Sequence, residues 1–235
     1  LICCFQNPIH QTEVDWLLSR RREHLALVGI SEFQVNGFLP PGIFSVIHNA
    51  TDMERFNFHP HPAQPPYLVF LGRLTANKGV DTAIAVAKKA GMRLKLAGTV
   101  SDEPGGKEFF EQIVRPQLGG NIEYIGPVDD VQKNDLLGDA IGCLFPIRWP
   151  EPFGIVMAES LACGTPVVAT PCASTPEVIA QGITGFLGET EEALAEGVRN
   201  LNRLNREHCR LAAEERFSGE VMTIRYLRII EELVR

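Results

Sequence analysis

Glu151 and Glu159 lie eight residues apart in the run Trp149-Pro150-Glu151-Pro152-Phe153-Gly154-Ile155-Val156-Met157-Ala158-Glu159. Two carboxylates so close in sequence could form an acid/base pair or take two grips on one ligand. On one continuous helix they would stand ~12 Å apart along the axis. Pro150 and Pro152 restrict the backbone on both sides of Glu151 and disfavour that helix, so the pair does not match two carboxyls facing across one scissile bond. The pattern instead sets one carboxylate on a stiff loop and a second about one turn into a new helix. Such a pair can hold different hydroxyls of one extended, anionic ligand. Phe153, Gly154 and Ile155 would present unpaired N–H groups at that helix start, suited to phosphate or sugar oxygens, and Gly154 permits close backbone approach. A helix dipole alone also accounts for Glu159; it does not account for Glu151 between prolines.

A second candidate is Gly72-Arg73-Leu74-Thr75-Ala76-Asn77-Lys78-Gly79. Its glycine and Ser/Thr positions are wrong for a P-loop. Lys78 in the first turn of a helix opposes the macrodipole by a few tenths of a kcal/mol unless an anion lies between. Arg73 at a strand end offers a planar fork to phosphate oxygens. Together they describe a diphosphate clamp, with two solvated surface cations as the alternative. The histidines (His10, His24, His48, His59, His61, His208) show no ligand spacing, so no metal site is expected. None of the six cysteines forms a C-x-x-C pair. Buried free thiols in a reducing cytoplasm are therefore expected, without zinc or disulfides.

Positioning these groups requires strands that end at the loops. Tyr67-Leu68-Val69-Phe70-Leu71 reads as a buried strand and residues 80–90 as a helix. Next come a strand at 94–97, a helix at 107–118 disturbed by Pro116 in its last turn, a strand at 122–125, a helix at 131–140 and a strand at 142–145. A helix from near Gly154, a strand at 166–169, a short helix at 175–180 and a strand at 185–187 follow. Strands alternating with helices imply an α/β fold, a parallel sheet with helices on both faces. Ligands then bind beyond the carboxyl ends of the strands, at loops 72–79, 98–106, 126–130 and 146–154. Upstream, residues 25–30 form a strand ending in the helix-start signal Ser31-Glu32, followed by Val46-Ile47-His48-Asn49. Pro60, Pro62, Pro65 and Pro66 mark a linker. Residues 218–235 form an amphipathic helix with Val221, Ile224, Leu227, Ile230 and Leu233 on one side.

The 235 residues suffice for one large domain or one and a half smaller ones. Hydrophobic content of 45% and charged content of 22% are ordinary for a globular chain. A net charge of -7 argues against non-specific nucleic-acid binding, so any anion site is local. No apolar run reaches the ~20 residues that span a bilayer, and no signal peptide is legible at the start; a cytoplasmic location is expected. The chain opens on a strand-like run without Met, as a fragment beginning inside a domain would.

These motifs, in order and each at a strand end, resemble the donor-binding half of retaining, nucleotide-sugar-dependent glycosyltransferases of the GT-B fold, family 4. The resemblance spans Gly72-Arg73, Lys78-Gly79, Tyr124-Ile125-Gly126, Glu151 through Glu159, Ala162-Cys163-Gly164-Thr165-Pro166, Pro176-Glu177-Val178 and Gly182-Ile183-Thr184-Gly185-Phe186. It implies that Arg73 and Lys78 bind the donor diphosphate and offset charge on the leaving group. It also implies that Glu151 orients hydroxyls of the transferred sugar, that Phe153, Gly154 and Ile155 donate main-chain bonds, that Glu159 holds the ribose, and that backbone near Val128 meets the base. Gly72, Arg73, Lys78, Val128, Glu151, Phe153, Gly154, Ile155 and Glu159 are thus the expected donor-binding set, with Arg73, Lys78 and Glu151 catalytic. The family reaction retains anomeric configuration and needs neither metal nor cofactor; the donor is a UDP-, GDP- or ADP-sugar and the acceptor is open.

The implied domains are 1–48 as the tail of a truncated N-terminal acceptor-side domain, 49–66 as hinge, 67–217 as the Rossmann-like donor domain, and 218–235 as a helix crossing back. Any peripheral membrane contact would run through the missing N-terminal part. Where the family often carries a histidine near the donor sugar this chain reads Gln6-Asn7-Pro8, and the hinge is Asn49-Ala50-Thr51-Asp52. The chain alone is therefore expected to be inactive. A non-catalytic nucleotide-sugar-binding module serving a partner chain and a nucleotide-sugar epimerase of the same fold are the alternatives. A dinucleotide-binding domain is disfavoured because no G-x-G-x-x-G follows a strand.

Overall fold

The computed structural model describes residues 1–20, 25–38 and 42–234; His24 and Arg235 lie outside them. Short apolar runs bounded by glycine or polar residues pair as two parallel sheets. The smaller joins β1 (Ile2–Cys4), β2 (Ala26–Gly29) and β3 (Phe44–Val46) in the order β1-β2-β3, with α1 (Gln11–Ser19) and the single turn α2 (Glu32–Val35) between them. Ser31 caps α2 by accepting the N–H of Gln34 at 3.0 Å.

The larger sheet contains β4 (Tyr67–Leu71), β5 (Arg93–Ala97), β6 (Ile122–Gly126), β7 (Gly142–Phe145), β8 (Val167–Ala169) and β9 (Gly185–Leu187). All are parallel, in the order β6-β5-β4-β7-β8-β9. The chain winds outward from β4 to β6, then returns to place β7 on the other side of β4. That reversal is the topological switch point of a doubly wound sheet.

Side chains alternate across the strands. Tyr67, Val69 and Cys143 enter a core under α5 (Asp130–Gly138), α6 (Ile155–Ala162) and α9 (Arg206–Phe217), whereas Leu68, Phe70 and Leu144 enter the opposite one under α3 (Val80–Ala90) and α8 (Glu191–Arg199). The expected Rossmann-like parallel sheet with helices on both faces is what forms. Cys143, Cys163 and Cys209 are buried free thiols, each pushed up to about 12 by burial. Among the described residues no helix is long and apolar enough to cross a membrane.

Several elements depart from the sequence expectation. The helix expected over 107–118 is α4 (Gly106–Phe109) followed by a wide turn over Phe110–Val114 and a tight one over Arg115–Gln117. Pro116 supplies no N–H to an α-helical ladder there. Helices α8 and α9 escaped the sequence reading because their apolar positions are few or small, and α1 escaped it although it carries Val14, Trp16, Leu17 and Leu18. The proline-rich linker is bonded to the ends of α6 and α5: His59 N–H donates to Cys163 O at 3.0 Å and Ala63 N–H to Asp139 O at 2.9 Å.

The last helix, α10 (Gly219–Val234), packs a row that shares only Leu233 with the expected one. Met222, Tyr226, Ile229 and Leu233 pack on Val28 and Ile47 of the small sheet, while Ile224, Leu227 and Ile230 are 42–51% exposed. Both rows have helical spacing, so periodicity alone could not choose between them.

After α7 (Thr175–Val178), β9, α8 and α9, the chain returns at the start of α10 to the small sheet beside its outward crossing. Thr51 N–H donates to Phe217 O at 2.8 Å, and Thr51 bridges Ser218.

Arg206 ties the proline-rich stretch to the large sheet. Its guanidinium donates to His59 O at 2.7 Å, Ala140 O at 2.8 Å, Gly138 O at 2.6 Å and Thr165 Oγ1 at 2.7 Å. Arg206→Ala strands these acceptors and should cost about 2–4 kcal/mol. The denaturation midpoint will fall with the slope unchanged; an unaltered midpoint would show that water replaces the guanidinium without loss.

Candidate functional site

At the switch point the loops after β4 and β7 are pressed together. Gly79 sits at φ 74, and a Cβ there would lie 1.9 Å from the carbonyl oxygen of Pro146. Only glycine combines that conformation with that approach. Arg148 holds the same seam, donating its N–H to Asn77 O at 2.8 Å and its guanidinium to Asp81 Oδ2 at 3.0 Å.

The close approach brings Lys78 onto Glu151. The Lys78 ammonium donates to Glu151 Oε2, which also accepts the Trp149 indole N–H at 3.0 Å. The ammonium stands 5.1 Å from the Trp149 ring centroid. Lys78 precedes the Gly79 cap of α3 and so lies ahead of the helix, outside its expected first turn. The neighbouring carboxylate offsets its charge.

Glu159 is buried in α6. Lys133 of α5 donates to its Oε1 at 2.7 Å, while Oε2 is buried without a partner. A buried carboxylate oxygen without a donor is costly and marks a place where a hydroxyl would be welcome. The sequence reading missed Lys133, although it follows the expected ligand loop and stands three residues beyond Asp130, with which it also pairs.

Arg73 lies apart from this pair in the fold's bonding. It is 47% exposed and forms an ion pair with Glu103, from the loop after β5. Gly72 N–H donates to Ala97 O at 3.0 Å, which pins the loop that carries Arg73. Phe153 is buried as a whole residue, 2% exposed. Among the described residues the N–H groups of Phe153, Gly154 and Ile155, and both backbone polar groups of Val128, make no hydrogen bond. Gly154 is at φ 76, where it opens α6. Among the described residues no group of three or more His, Cys, Asp or Glu could hold a metal.

The small sheet meets this region through Glu177. Its carboxylate accepts the N–H of Glu32 at 2.8 Å, the N–H of Phe33 at 2.7 Å and His48 Nε2 at 3.3 Å. The His48 ring packs on Phe153 and Phe217 at centroid distances of 5.8 and 5.6 Å. Gln6, where the resemblance suggested a histidine, accepts the Asn49 amide at 2.9 Å. It therefore lies beside the crossing between the sheets.

The profile described as Glycosyl transferases group 1 matches residues 52–216. The phosphatidylinositol N-acetylglucosaminyltransferase gpi3 subunit of Schizosaccharomyces pombe is 32% identical over 165 residues, 67% of this chain and 35% of that protein. This chain spans less than half the length of curated relatives such as that one. Among solved structures, AviGT4, a glycosyltransferase of avilamycin A biosynthesis, superposes with a TM-score of 0.75 at 28% identity, covering 88% of this chain and 64% of its own. HepE of Anabaena, solved with UDP and glucose, shares the fold at a TM-score of 0.78 and 20% identity, over 98% of this chain and 71% of its own.

The Glu177 clasp carries a pH signature. Burial pushes its carboxyl up, but the hydrogen bonds from His48, Phe33 and Glu32 outweigh it and hold the pKa below the ordinary glutamate range. A depressed folded pKa contributes stability above the unfolded value of about 4.3 and loses it as pH falls through the folded value. Glu177→Gln should thus lower the melting temperature at neutral pH, and its deficit should shrink on acidification. A deficit independent of pH would remove the carboxylate's charge from the account.

Proposed function

The chain belongs to the glycosyl transferases group 1 family with a GT-B-type fold, and from that premise we propose that it is the donor-binding part of a retaining family 4 hexosyltransferase. Its substrate is a nucleotide-diphosphate sugar. The observation that carries this reading is the Lys78–Glu151 pair set beside the bare N–H groups of Phe153, Gly154 and Ile155 at the switch point. It puts a cation, a carboxylate and oriented donors where such sheets bind ligands. HepE, of like fold, was solved with UDP and glucose, which agrees with this choice of ligand.

In this reading the diphosphate lies against Lys78, with Arg73 turning from Glu103 to meet it. Both cations offset charge that develops on the leaving group as the sugar–phosphate bond breaks. The acceptor hydroxyl attacks on the same face, so configuration is retained. Glu151 aligns the sugar hydroxyls, and Trp149 and Lys78 hold that carboxylate in place. The partnerless Glu159 oxygen accepts a ribose hydroxyl, while Lys133 fixes its other oxygen. The free backbone groups of Val128 read the base. No acceptor is assigned, and activity belongs to the longer architecture of the relatives.

A thermal-shift panel of UDP-, GDP- and ADP-sugars tests the reading. A donor at ~100 times its Kd should stabilise the fold by ~2.7 kcal/mol, and Arg73→Ala should abolish the shift. Glu159→Gln should weaken it about tenfold in affinity, since the charged acceptor is lost. No shift with any donor, or an undiminished shift in Arg73→Ala, would overturn the proposal.

A further inference from the structure

The loop after β8 runs beside the loop that carries Glu151, beyond the point where the two strands stop pairing at Phe145 and Ala169. There the backbone ladder is replaced by side chains. Thr170 Oγ1 donates to Ile147 O at 2.6 Å, Cys172 Sγ to Trp149 O at 3.5 Å, and Ser174 Oγ lies 3.0 Å from both Glu151 O and Phe153 O. Alternate residues of one loop thus bond alternate carbonyls of the other, which continues the period of the sheet through side chains. Ser174 is fully buried, and its one proton serves two carbonyls on either side of Pro152. Thr175 locks the ladder from behind, with Oγ1 donating toward Thr170 O at 2.5 Å and accepting Cys172 N–H at 2.9 Å. Ala173, between two rungs, is held at φ 55.

We infer that Thr170, Cys172 and Ser174 form a positioning ladder that shapes the Glu151 loop, with Ser174 the rung that sets the direction of the Glu151 carboxylate and of the Phe153–Ile155 N–H groups. The inference rests on the donor reading above for its consequence and on geometry alone for its existence. Pro150 and Pro152 remove two backbone donors from the loop, so the carbonyls of 147–153 find few partners within the loop itself. Hydroxyls and a thiol from the neighbouring loop supply what the prolines cannot. Because Glu151 faces the sugar and the cations face the diphosphate, loss of Ser174 should affect recognition of the sugar more than of the nucleotide.

The test compares wild type, Ser174→Ala and Thr165→Ala. Thr165 is an equally buried hydroxyl that donates to Leu137 O at 2.7 Å, away from this ladder, so it controls for lost stability. Each protein is titrated with UDP-glucose, GDP-mannose and ADP-glucose and with the matching free diphosphates, and amide hydrogen exchange is followed over residues 147–156. Ser174→Ala should exchange faster at Glu151 to Ile155 and lose about tenfold of the preference for sugar nucleotide over free nucleotide, while Thr165→Ala keeps both. Unchanged exchange in Ser174→Ala, or an equal loss of preference in both variants, would overturn the ladder. If wild type binds no nucleotide, the donor reading fails, and the exchange comparison by itself supports or overturns the ladder.

Discussion

Gly79 and the Pro146 carbonyl touch where the sheet reverses its order, and the rest of the site hangs on that contact. A side chain at position 79 would meet a backbone oxygen at 1.9 Å. With glycine the loops after β4 and β7 close on each other. The Arg148 bonds to Asn77 and Asp81 then hold the seam, and Lys78 falls within reach of Glu151. Two adjacent parallel strands whose connections leave in opposite directions create the crevice; a small backbone approach makes it narrow enough for charges from both sides to act on one ligand.

Around that seam the structure spends polar groups on shape. Trp149 and Lys78 both address one oxygen of Glu151, Lys133 addresses one oxygen of Glu159, and the β8 loop addresses the carbonyls of the Glu151 loop. Glu177 extends the network to the small sheet, and the His48 ring rests on Phe153. Movement of one sheet relative to the other would therefore be felt at the residue just before the one that opens α6. Fixed donors and acceptors of this kind reduce the reorganisation needed when a charged ligand enters.

The large sheet was legible because buried parallel strands are short apolar runs with glycine at one end, as in Tyr67 to Leu71 before Gly72 and in Gly142 to Phe145. The Glu151 loop was legible because proline on each side excludes regular structure. Less visible were α9, whose buried residues are Cys209, Ala213 and Phe217 among charges, and α8, which packs through small residues such as Ala195 and Gly197. The row chosen by α10 was not legible either. Two apolar rows compete on that helix, and the one that wins is the one that meets Val28 and Ile47.

Local pattern, then, determined where strands end, which loops face the ligand side and which residues there could bear charge. Period and punctuation are read within a few residues, and they survive any rearrangement of strand order. Partnership between charges is different in kind. Lys78 and Glu151 are 73 positions apart, and Glu177 and the α2 backbone 144 to 145. Their meeting depends on which strands are neighbours and how closely the loops approach. The same local periodicities fit several strand orders, so only the tertiary structure decided that Lys78 steadies Glu151, that Lys133 steadies Glu159, and that Ser174 stands behind the loop.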